Sequence, residues 1–205
     1  MMKTSPIGGS KLSQEGNKSE KTSTENHLDE EDARWFAVYT KYKREKMVAK
    51  YLAQKNIEHY LPLQRFTRHY TRKTKKVELP LISCYIFTKI KKSEYIPVLE
   101  TPDVVHFVRF SNNLISIPEA EIEILKRVVG EGIPVQLEKG CLALGDAVEI
   151  IGGPLTGLSG VLLEKQNQKN FVVELSSMGY SLIMQINPAF LNPKNALPGR
   201  LRESA

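Results

Sequence analysis

A glycine-rich segment between residues 144 and 163 places the strongest constraint on what this chain can fold into. Gly145-Asp146 precedes a short apolar run over residues 148–151. A glycine- and proline-rich stretch follows over residues 152–157, and a second apolar run begins after Ser159-Gly160. β-Branched residues favour strands, whereas clustered glycine and proline mark turns. The segment is therefore predicted to form two strands joined by a turn.

Short strands are predicted throughout the C-terminal part of the chain. Apolar runs fall at residues 146–151, 159–165, 170–175 and 180–186, with turn-forming residues between them. Strands that recur every ~8–12 residues are typical of a small barrel or sandwich. We predict a small all-β barrel over residues 143–192, a linker before it at 132–142 and a tail after it at 193–205.

The N-terminus and the bulk composition narrow the class of protein. Residues 1–32 are rich in Ser, Thr, Lys and Glu, which predicts a disordered tail because such a segment buries little apolar surface. No apolar run approaches ~18 residues and no signal-peptide core opens the chain, so we expect a cytoplasmic protein without a membrane span. Cys84 and Cys141 have neither zinc-site nor disulfide-framework spacing.

Positive charge is concentrated in one region of the chain. The net charge is +6, but residues 1–33 carry four Lys and seven acids, whereas residues 34–100 carry sixteen Lys and Arg and five acids. These regions are therefore −3 and +11. A localised basic surface attracts polyanions, and salt weakens the attraction. The charge indicates either a nucleic-acid partner or an ordinary solvated face.

Strands and helices alternate between the tail and the linker, over residues 33–131. Extended patterns fall at residues 34–40, 57–66, 77–90 and 104–110. Apolar residues at helical spacing predict helices within residues 43–56 and 118–129, and Ser93 is placed to begin a short helix between them. The order β-α-β-β-α-β-α predicts an α+β fold, in which helices flank an antiparallel sheet.

Motifs in both regions resemble one family. The first strand holds Trp35-Phe36-Ala37-Val38, and a central strand reads PLISCYIF over residues 80–87. In this order they resemble the N-terminal (NGN) domain of the NusG transcription elongation factors, whose usual Pro-Gly is replaced here by Ser83-Cys84. The glycine pattern of the later segment resembles the KOW motif of small SH3-like barrels. The resemblance spans residues 34–191, and residues 105–110, VHFVRF, look more like the specialised RfaH and UpxY antiterminators.

The resemblance implies a polymerase-binding surface on the first region. Side-chain alternation puts Tyr39 on one face of the first strand and Tyr85 and Phe87 on one face of the central strand. If helices cover only the other side, these aromatics form an exposed patch that anchors a partner. The family binds the clamp helices of the RNA polymerase β′ subunit there, and residues 94–96 fall where paralogues meet the β gate loop. The implied pocket is Tyr39, Tyr85, Phe87 and Ile122, with ordinary core packing as the alternative.

Two groups of cations are candidate nucleic-acid contacts. Residues 65–76 hold six Lys and Arg, no acid and interleaved aromatics, a composition suited to phosphates and unpaired bases. The resemblance implies that the first helix and its preceding loop meet non-template DNA. Nascent leader RNA is the other candidate, and a mobile solvated hairpin is the structural alternative. The candidate cations are Lys41, Lys43, Arg44, Lys50, Arg65, Arg68, Arg72, Lys73, Lys75 and Lys76.

The second region is expected to recruit a partner without catalysing a reaction. In relatives the KOW domain binds a ribosomal protein or the termination factor Rho. The motif residues here are Gly145, Asp146, Gly153, Gly157 and Gly160. The sequence lacks His-Glu-x-x-His, Gly-x-Ser-x-Gly and P-loop patterns, so we expect no enzymatic activity, metal or cofactor. We expect a monomer.

Three functions are compatible with these patterns. The first is an antitermination or elongation factor that binds RNA polymerase and reduces pausing at particular operons, such as those for capsular polysaccharide. The second is a general RNA-binding or ribosome-associated KOW protein, whose binding would be salt-sensitive and indifferent to Tyr39, Tyr85 and Phe87. The third is a housekeeping NusG that acts on all transcription units.

Overall fold

The computed structural model describes residues 24–70, 73–140, 145–165 and 168–194. The predictions for residues 1–23 and 195–205, for Arg72 and for Cys141 lie outside the described residues. No helix in these ranges is long and apolar enough to cross a membrane.

Strands and helices alternate in the first unit. In chain order its elements are β1 (Arg34–Thr40), α1 (Glu45–Gln54), β2 (Glu58–Tyr60), β3 (Leu63–Tyr70), β4 (Lys73–Pro80), β5 (Tyr85–Ile90), α2 (Tyr95–Leu99), β6 (Val104–Phe107) and α3 (Glu119–Gly130). Four strands form an antiparallel sheet in the order β2-β5-β1-β6, and β3 and β4 form a separate hairpin. The predicted mixture of antiparallel sheets and flanking helices is confirmed.

Both faces of the four-stranded sheet are covered. Phe36 and Ile86 belong to a core cluster with Val48 and Leu52 of α1. Alternation along the strands puts Trp35, Ala37 and Phe87 on the opposite face, where they join a second cluster with the apolar side of α3. This second cluster continues into the C-terminal strands.

Six antiparallel strands form the second sheet. They are β7 (Val135–Lys139), β8 (Asp146–Ile150), β9 (Ser159–Lys165), β10 (Gln168–Leu175), β11 (Tyr180–Met184) and β12 (Leu191–Pro193). Their order is β12-β8-β9-β10-β11-β7. Four of these strands follow the predicted pattern. β7 lies in the predicted linker, because pairing with β11 satisfies its backbone, and β12 overlaps the start of the predicted tail.

The predicted continuous strand over residues 77–90 is wrong at its centre. β4 ends at Pro80, and Cys84 has a left-handed φ of 65°, so β5 begins only at Tyr85. The bend therefore occurs at Ser83-Cys84, with a cysteine in a left-handed conformation that favours glycine. The buried carboxylate of Glu45 accepts a hydrogen bond from the Cys84 N–H at 2.8 Å, which stabilises the bend.

The predicted disordered tail does not hold for residues 24–32. The Leu114 N–H donates to the Glu25 carbonyl, and the His27 N–H donates to the Leu114 carbonyl, each at 2.9 Å. The Ser116 N–H also donates to His27 Nδ1 at 3.1 Å, and Leu28 packs on the α1-side core. The hydrogen-bonding partners Leu114 and Ser116 lie more than 80 positions away, so local composition carries no sign of these bonds.

Helix α3 is joined to the sheet by an acid in its first turn. Glu119 Oε2 accepts from Trp35 Nε1 and lies 2.9 Å from Lys89 Nζ. The hydrogen bond from Lys89, followed by that from Trp35, lowers the pKa of the Glu119 carboxyl.

This pKa shift makes part of the stability pH-dependent. Because the folded pKa of Glu119 is lowered, its contribution is present above the unfolded value of 4.5 and is lost as pH falls through the folded value. Half of this side chain is exposed, so screening keeps the contribution at about 1 kcal/mol or less. We expect Glu119→Gln to unfold at lower urea than wild type at pH 7 and to converge with it near pH ~3. A difference that persists unchanged at acid pH would contradict this assignment.

Candidate functional site

Aromatic side chains form a row across the first sheet. Tyr39 pairs with Tyr85 across β1 and β5, and their rings meet edge to face with centroids 5.6 Å apart. Tyr39 also stacks on His106 of β6 at 5.3 Å, and Tyr85 meets Tyr180 of the second sheet at 6.3 Å. The row therefore runs from the exposed ring of His106 to the interface between the two sheets.

The predicted pocket residues share one sheet face but do not form an exposed patch. Tyr39 and Tyr85 are half-buried, whereas Phe87 and Ile122 are fully buried in one cluster. The expectation of exposure is therefore wrong for Phe87, for which the alternative of core packing holds, whereas Ile122 is expected in the pocket only through the family resemblance. The physical reason is that α3 and the second sheet pack on the face that the sequence pattern left uncovered.

The interface between this face and the second sheet contains a partly open cavity of about 250 Å³. Its lining is mainly apolar and includes Phe87, Val108 and Ile117 from the first unit and Met178 from the second. Tyr85 and Tyr180 also line it. The two units are thus in contact without packing to full density.

Two phenols of the aromatic row have perturbed acidities. A hydrogen bond with the Cys84 thiol is the main cause that raises the pKa of Tyr39, with a smaller contribution from Tyr85. Burial raises the pKa of Tyr180 to about 12, and the neighbouring Tyr85 adds to the shift. Both phenols are therefore neutral hydrogen-bonding groups near neutral pH.

α3 bonds directly to the second sheet. Glu121 Oε1 accepts from the Ser177 N–H at 3.1 Å and from Ser177 Oγ at 2.9 Å. Arg127 Nη2 donates to the carbonyls of Thr156 at 2.8 Å and Pro154 at 3.4 Å. We call these four hydrogen bonds the α3 contacts. They hold the second sheet against the face that carries Phe87.

The predicted cations near α1 lie on an exposed turn and on the helix that follows it. Asp103 pairs with Arg44 Nε at 2.8 Å and with Lys41 Nζ at 3.5 Å. The hydrogen bond from Arg44 is the largest cause that lowers the pKa of Asp103. Lys43 and Lys50 are exposed and form no ion pair within the described ranges.

The hairpin continues this basic surface. Glu78 on β4 lies 3.8 Å from Lys46 of α1 and 3.1 Å from Arg65 of β3, so one carboxylate joins the helix to the hairpin. Lys46 therefore joins the basic residues of this region, although it is not among the predicted contacts. Lys75 and Lys76 are exposed, and neither forms an ion pair with another described residue.

Two more of the predicted hairpin cations are placed by the backbone register alone. Arg68 lies directly opposite Lys75, and Lys73 directly opposite Tyr70. Glu78 links the helix cations to Arg65, and Lys75 and Lys76 lie further along β4 with side chains that alternate in direction. We use the name basic surface for these helix and hairpin cations together: Lys41, Lys43, Arg44, Lys46, Lys50, Arg65, Lys75 and Lys76.

The predicted glycine motif shapes the second sheet. Gly157 has φ +83° in the turn between β8 and β9, and its N–H donates to the Ile150 carbonyl at 2.7 Å. A Cβ on Gly160 would collide with the Val172 carbonyl oxygen, so a side chain there would separate β9 from β10. Gly145 and Asp146 lie at the start of β8, and Gly153 lies in the same turn as Gly157.

The structure also describes the segment predicted to contact the gate loop. In the segment at residues 94–96, Tyr95 stacks on Phe107 at 4.6 Å and Ile96 is exposed. The sequence pattern also did not indicate His106 as part of the aromatic row. Strand alternation could have done so, because it puts His106 on the face opposite that of the buried Phe107. Within the described residues, no group of three or more His, Cys, Asp or Glu side chains is placed to hold a metal ion.

The first unit of the chain matches a model of a known protein family. Residues 33–126 match the family model described as "NusG: Transcription termination factor nusG". The match coincides with the first sheet, the hairpin and most of α3. The first unit therefore resembles the NusG family, and the second sheet lies outside the matched residues.

Solved structures also resemble the chain. "Domain interaction in Thermotoga maritima NusG" shares 19% identity over 79% of this chain and 97% of that chain, with a TM-score of 0.48. "Crystal Structure of MjSpt4:Spt5 complex conformation A" shares 19% identity over 78% of this chain and 96% of that chain, with a TM-score of 0.29. No curated protein matches the sequence.

Proposed function

We propose that this chain is a NusG-like transcription factor that binds RNA polymerase through its aromatic row and reduces pausing or termination. The observation that carries the proposal is the half-buried Tyr39–Tyr85 pair on a sheet that matches the NusG family. Partly exposed tyrosines held by neighbouring rings are effective anchors, because little side-chain entropy is lost on binding. The clamp helices of the β′ subunit are the proposed partner of this row.

Two residues of the proposed pocket, Phe87 and Ile122, are covered in the closed structure. Phe87 and Ile122 reach a partner only if the second sheet moves away, since the α3 contacts hold it in place. We propose that the closed form binds polymerase weakly through Tyr39 and Tyr85, and that an open form binds with the whole pocket. Binding of polymerase then shifts the population towards the open form.

The basic surface is proposed to contact nucleic acid beside the polymerase. Lys43, Lys50, Lys75 and Lys76 are exposed and unpaired among the described residues, so they are available to phosphates. Non-template DNA and nascent leader RNA are the candidate strands. Selective action at capsular polysaccharide-type operons, as in the UpxY and RfaH antiterminators, is part of this proposal.

The second sheet is proposed to be a KOW module that recruits a ribosomal protein or Rho. Its glycine-dependent turn and the close approach at Gly160 support that assignment. We further propose that the protein acts as a cytoplasmic monomer without enzymatic activity, that it needs no cofactor, and that residues 94–96 contact the β gate loop.

Polymerase retention by immobilised full-length protein tests the central claim. We expect wild type to retain purified core polymerase and Tyr39→Ala/Tyr85→Ala to lose about tenfold or more in affinity, because alanine removes both anchors. Phe190→Ala is the control, since this exposed ring lies just before β12, away from the aromatic row. Circular dichroism verifies that each variant is folded. Equal retention by wild type and the double variant would overturn the assignment of the aromatic row.

A second candidate function is general RNA binding, which the basic surface favours. In that case RNA affinity would be strong without polymerase, would fall steeply with salt, and would be the same in wild type and Tyr39→Ala/Tyr85→Ala. Failure to retain polymerase, together with strong RNA binding, would favour this alternative. A housekeeping NusG would instead be found on all transcription units.

A further inference from the structure

Tyr42 is the most exposed large hydrophobic residue in the described part of the chain, with 67% of its surface accessible. It lies between β1 and α1, one position before Lys43, which has a left-handed φ of 59°. A single exposed aromatic is common on protein surfaces, so exposure alone indicates no function. Tyr42 differs from other exposed aromatics in the hydrogen bonds that fix its turn and in the charges around its ring.

The turn that carries Tyr42 is fixed at both ends by Asp103. The Lys41 N–H donates to the Asp103 carbonyl at 2.9 Å, and Arg44 Nε donates to its carboxylate at 2.8 Å. The Arg44 N–H donates to the Lys41 carbonyl at 3.1 Å, which closes the turn. The ring is therefore displayed on a preorganised backbone, so a ligand that binds it loses little conformational entropy.

Charges around the ring define the kind of ligand. Lys43 Nζ lies 5.0 Å from the centroid of the Tyr42 ring, so an ammonium group stands over one face of a side chain that is otherwise largely exposed. Exposed Lys50 follows on α1, and the one acid of the turn contacts, Asp103, is neutralised by Lys41 and Arg44. A planar group with negative charge close by fits this arrangement.

We propose that Tyr42 is a stacking platform for an unpaired base of a single-stranded nucleic acid whose phosphates contact Lys43 and Lys50. This inference rests on the proposed nucleic-acid contact of the basic surface and adds to it a side chain without charge. Stacking on a tyrosine tolerates any base, because every base has a π-face. The platform therefore holds the strand against the surface and does not read its sequence.

Fluorescence anisotropy with full-length protein separates stacking from charge. The probes are labelled 12-nucleotide oligo-dT and oligo-U, each titrated at several salt concentrations. We expect Tyr42→Ala to weaken binding about tenfold, with an unchanged slope of log affinity against log salt, because stacking releases no counterions. Tyr42→Phe keeps a stacking ring and should remain close to wild type. Phe190→Ala is the matched control, because it removes another exposed ring, which lies just before β12.

The lysines give the opposite signature. Lys43→Ala/Lys50→Ala should reduce the magnitude of the salt slope by about 1.4, from roughly 0.7 for each single-strand phosphate contact. An affinity of Tyr42→Ala within twofold of wild type, or a reduced slope, would overturn the stacking role while the lysine contacts stand. No binding of either oligonucleotide by wild type would overturn both, and the polymerase-retention test would remain independent. The oligonucleotide that wild type binds more tightly shows whether the strand is DNA or RNA.

Discussion

Replacement of Phe87 by alanine is expected to lower the free energy of unfolding by about 3–5 kcal/mol, the largest stability effect of any change considered. Phe87 is fully buried between the first sheet and the C-terminal strands, in the cluster that contains Ile122 and Leu125. It also lines the existing interface cavity of about 250 Å³. The new void would add to this cavity, so the neighbouring side chains have little means to fill it.

Urea denaturation, monitored by circular dichroism and by fluorescence of the single tryptophan, Trp35, measures this loss. Tyr85→Ala is the matched control. It lies two positions away on the same face but is only half-buried, so a smaller loss is expected. A loss below ~1 kcal/mol for Phe87→Ala would show that the face is not packed as described. A variant that removes Phe87 together with Tyr39 and Tyr85 would therefore confound folding with binding.

Local sequence patterns predict the elements well where one periodicity dominates. The continuous apolar run of β1 and the apolar stripes of α1 and α3 identify these elements, and the stripes also identify the helix faces that are buried. The glycine-rich turn between β8 and β9 is also local, because Gly157 adopts a positive φ and Gly160 leaves room for β10. For these elements the sequence contains the physical cause.

The remaining features depend on partners distant in the chain. Phe87 and Tyr39 share one face by alternation. Only the packing of α3 and the second sheet on that face buries Phe87 and leaves Tyr39 half-exposed. β7 becomes a strand through pairing with β11, and residues 24–32 are ordered by bonds to Leu114 and Ser116. None of these contacts leaves a periodicity in the segment itself, so no local pattern predicts them.

Opening of the interface is expected to strengthen polymerase binding. The variant Glu121→Ala/Arg127→Ala removes all four α3 contacts and leaves the buried side of α3 unchanged. It also leaves the Ser177 N–H without its acceptor in the closed form. Hydrogen bonds to charged groups contribute roughly 1.5–3 kcal/mol each when well formed. Because Arg127 is exposed, we expect a total shift of about 2 kcal/mol, or ~30-fold, towards the open form.

The closed form has a built-in weakness that makes such a shift attainable. Glu121 Oε2 is buried and has no hydrogen-bond partner among the described residues, so closure desolvates a carboxylate oxygen without replacing its water. The cavity beside Phe87 removes further packing energy from the interface. An interface with an unsatisfied carboxylate oxygen and a void opens more readily than one of full density.

Small-angle scattering and polymerase titration measure the two consequences of opening. We expect a larger radius of gyration for Glu121→Ala/Arg127→Ala and an affinity for core polymerase up to ~30-fold higher than wild type, because a shift in population changes apparent affinity by the same factor. Glu123→Ala/Lys126→Ala is the matched control, since this pair joins side chains 2.6 Å apart within α3. Unchanged affinity in an expanded variant would mean that Phe87 and Ile122 take no part in binding. Unchanged size and affinity would mean that the α3 contacts do not hold the interface closed, and that Tyr39 and Tyr85 are the only part of the row available to polymerase.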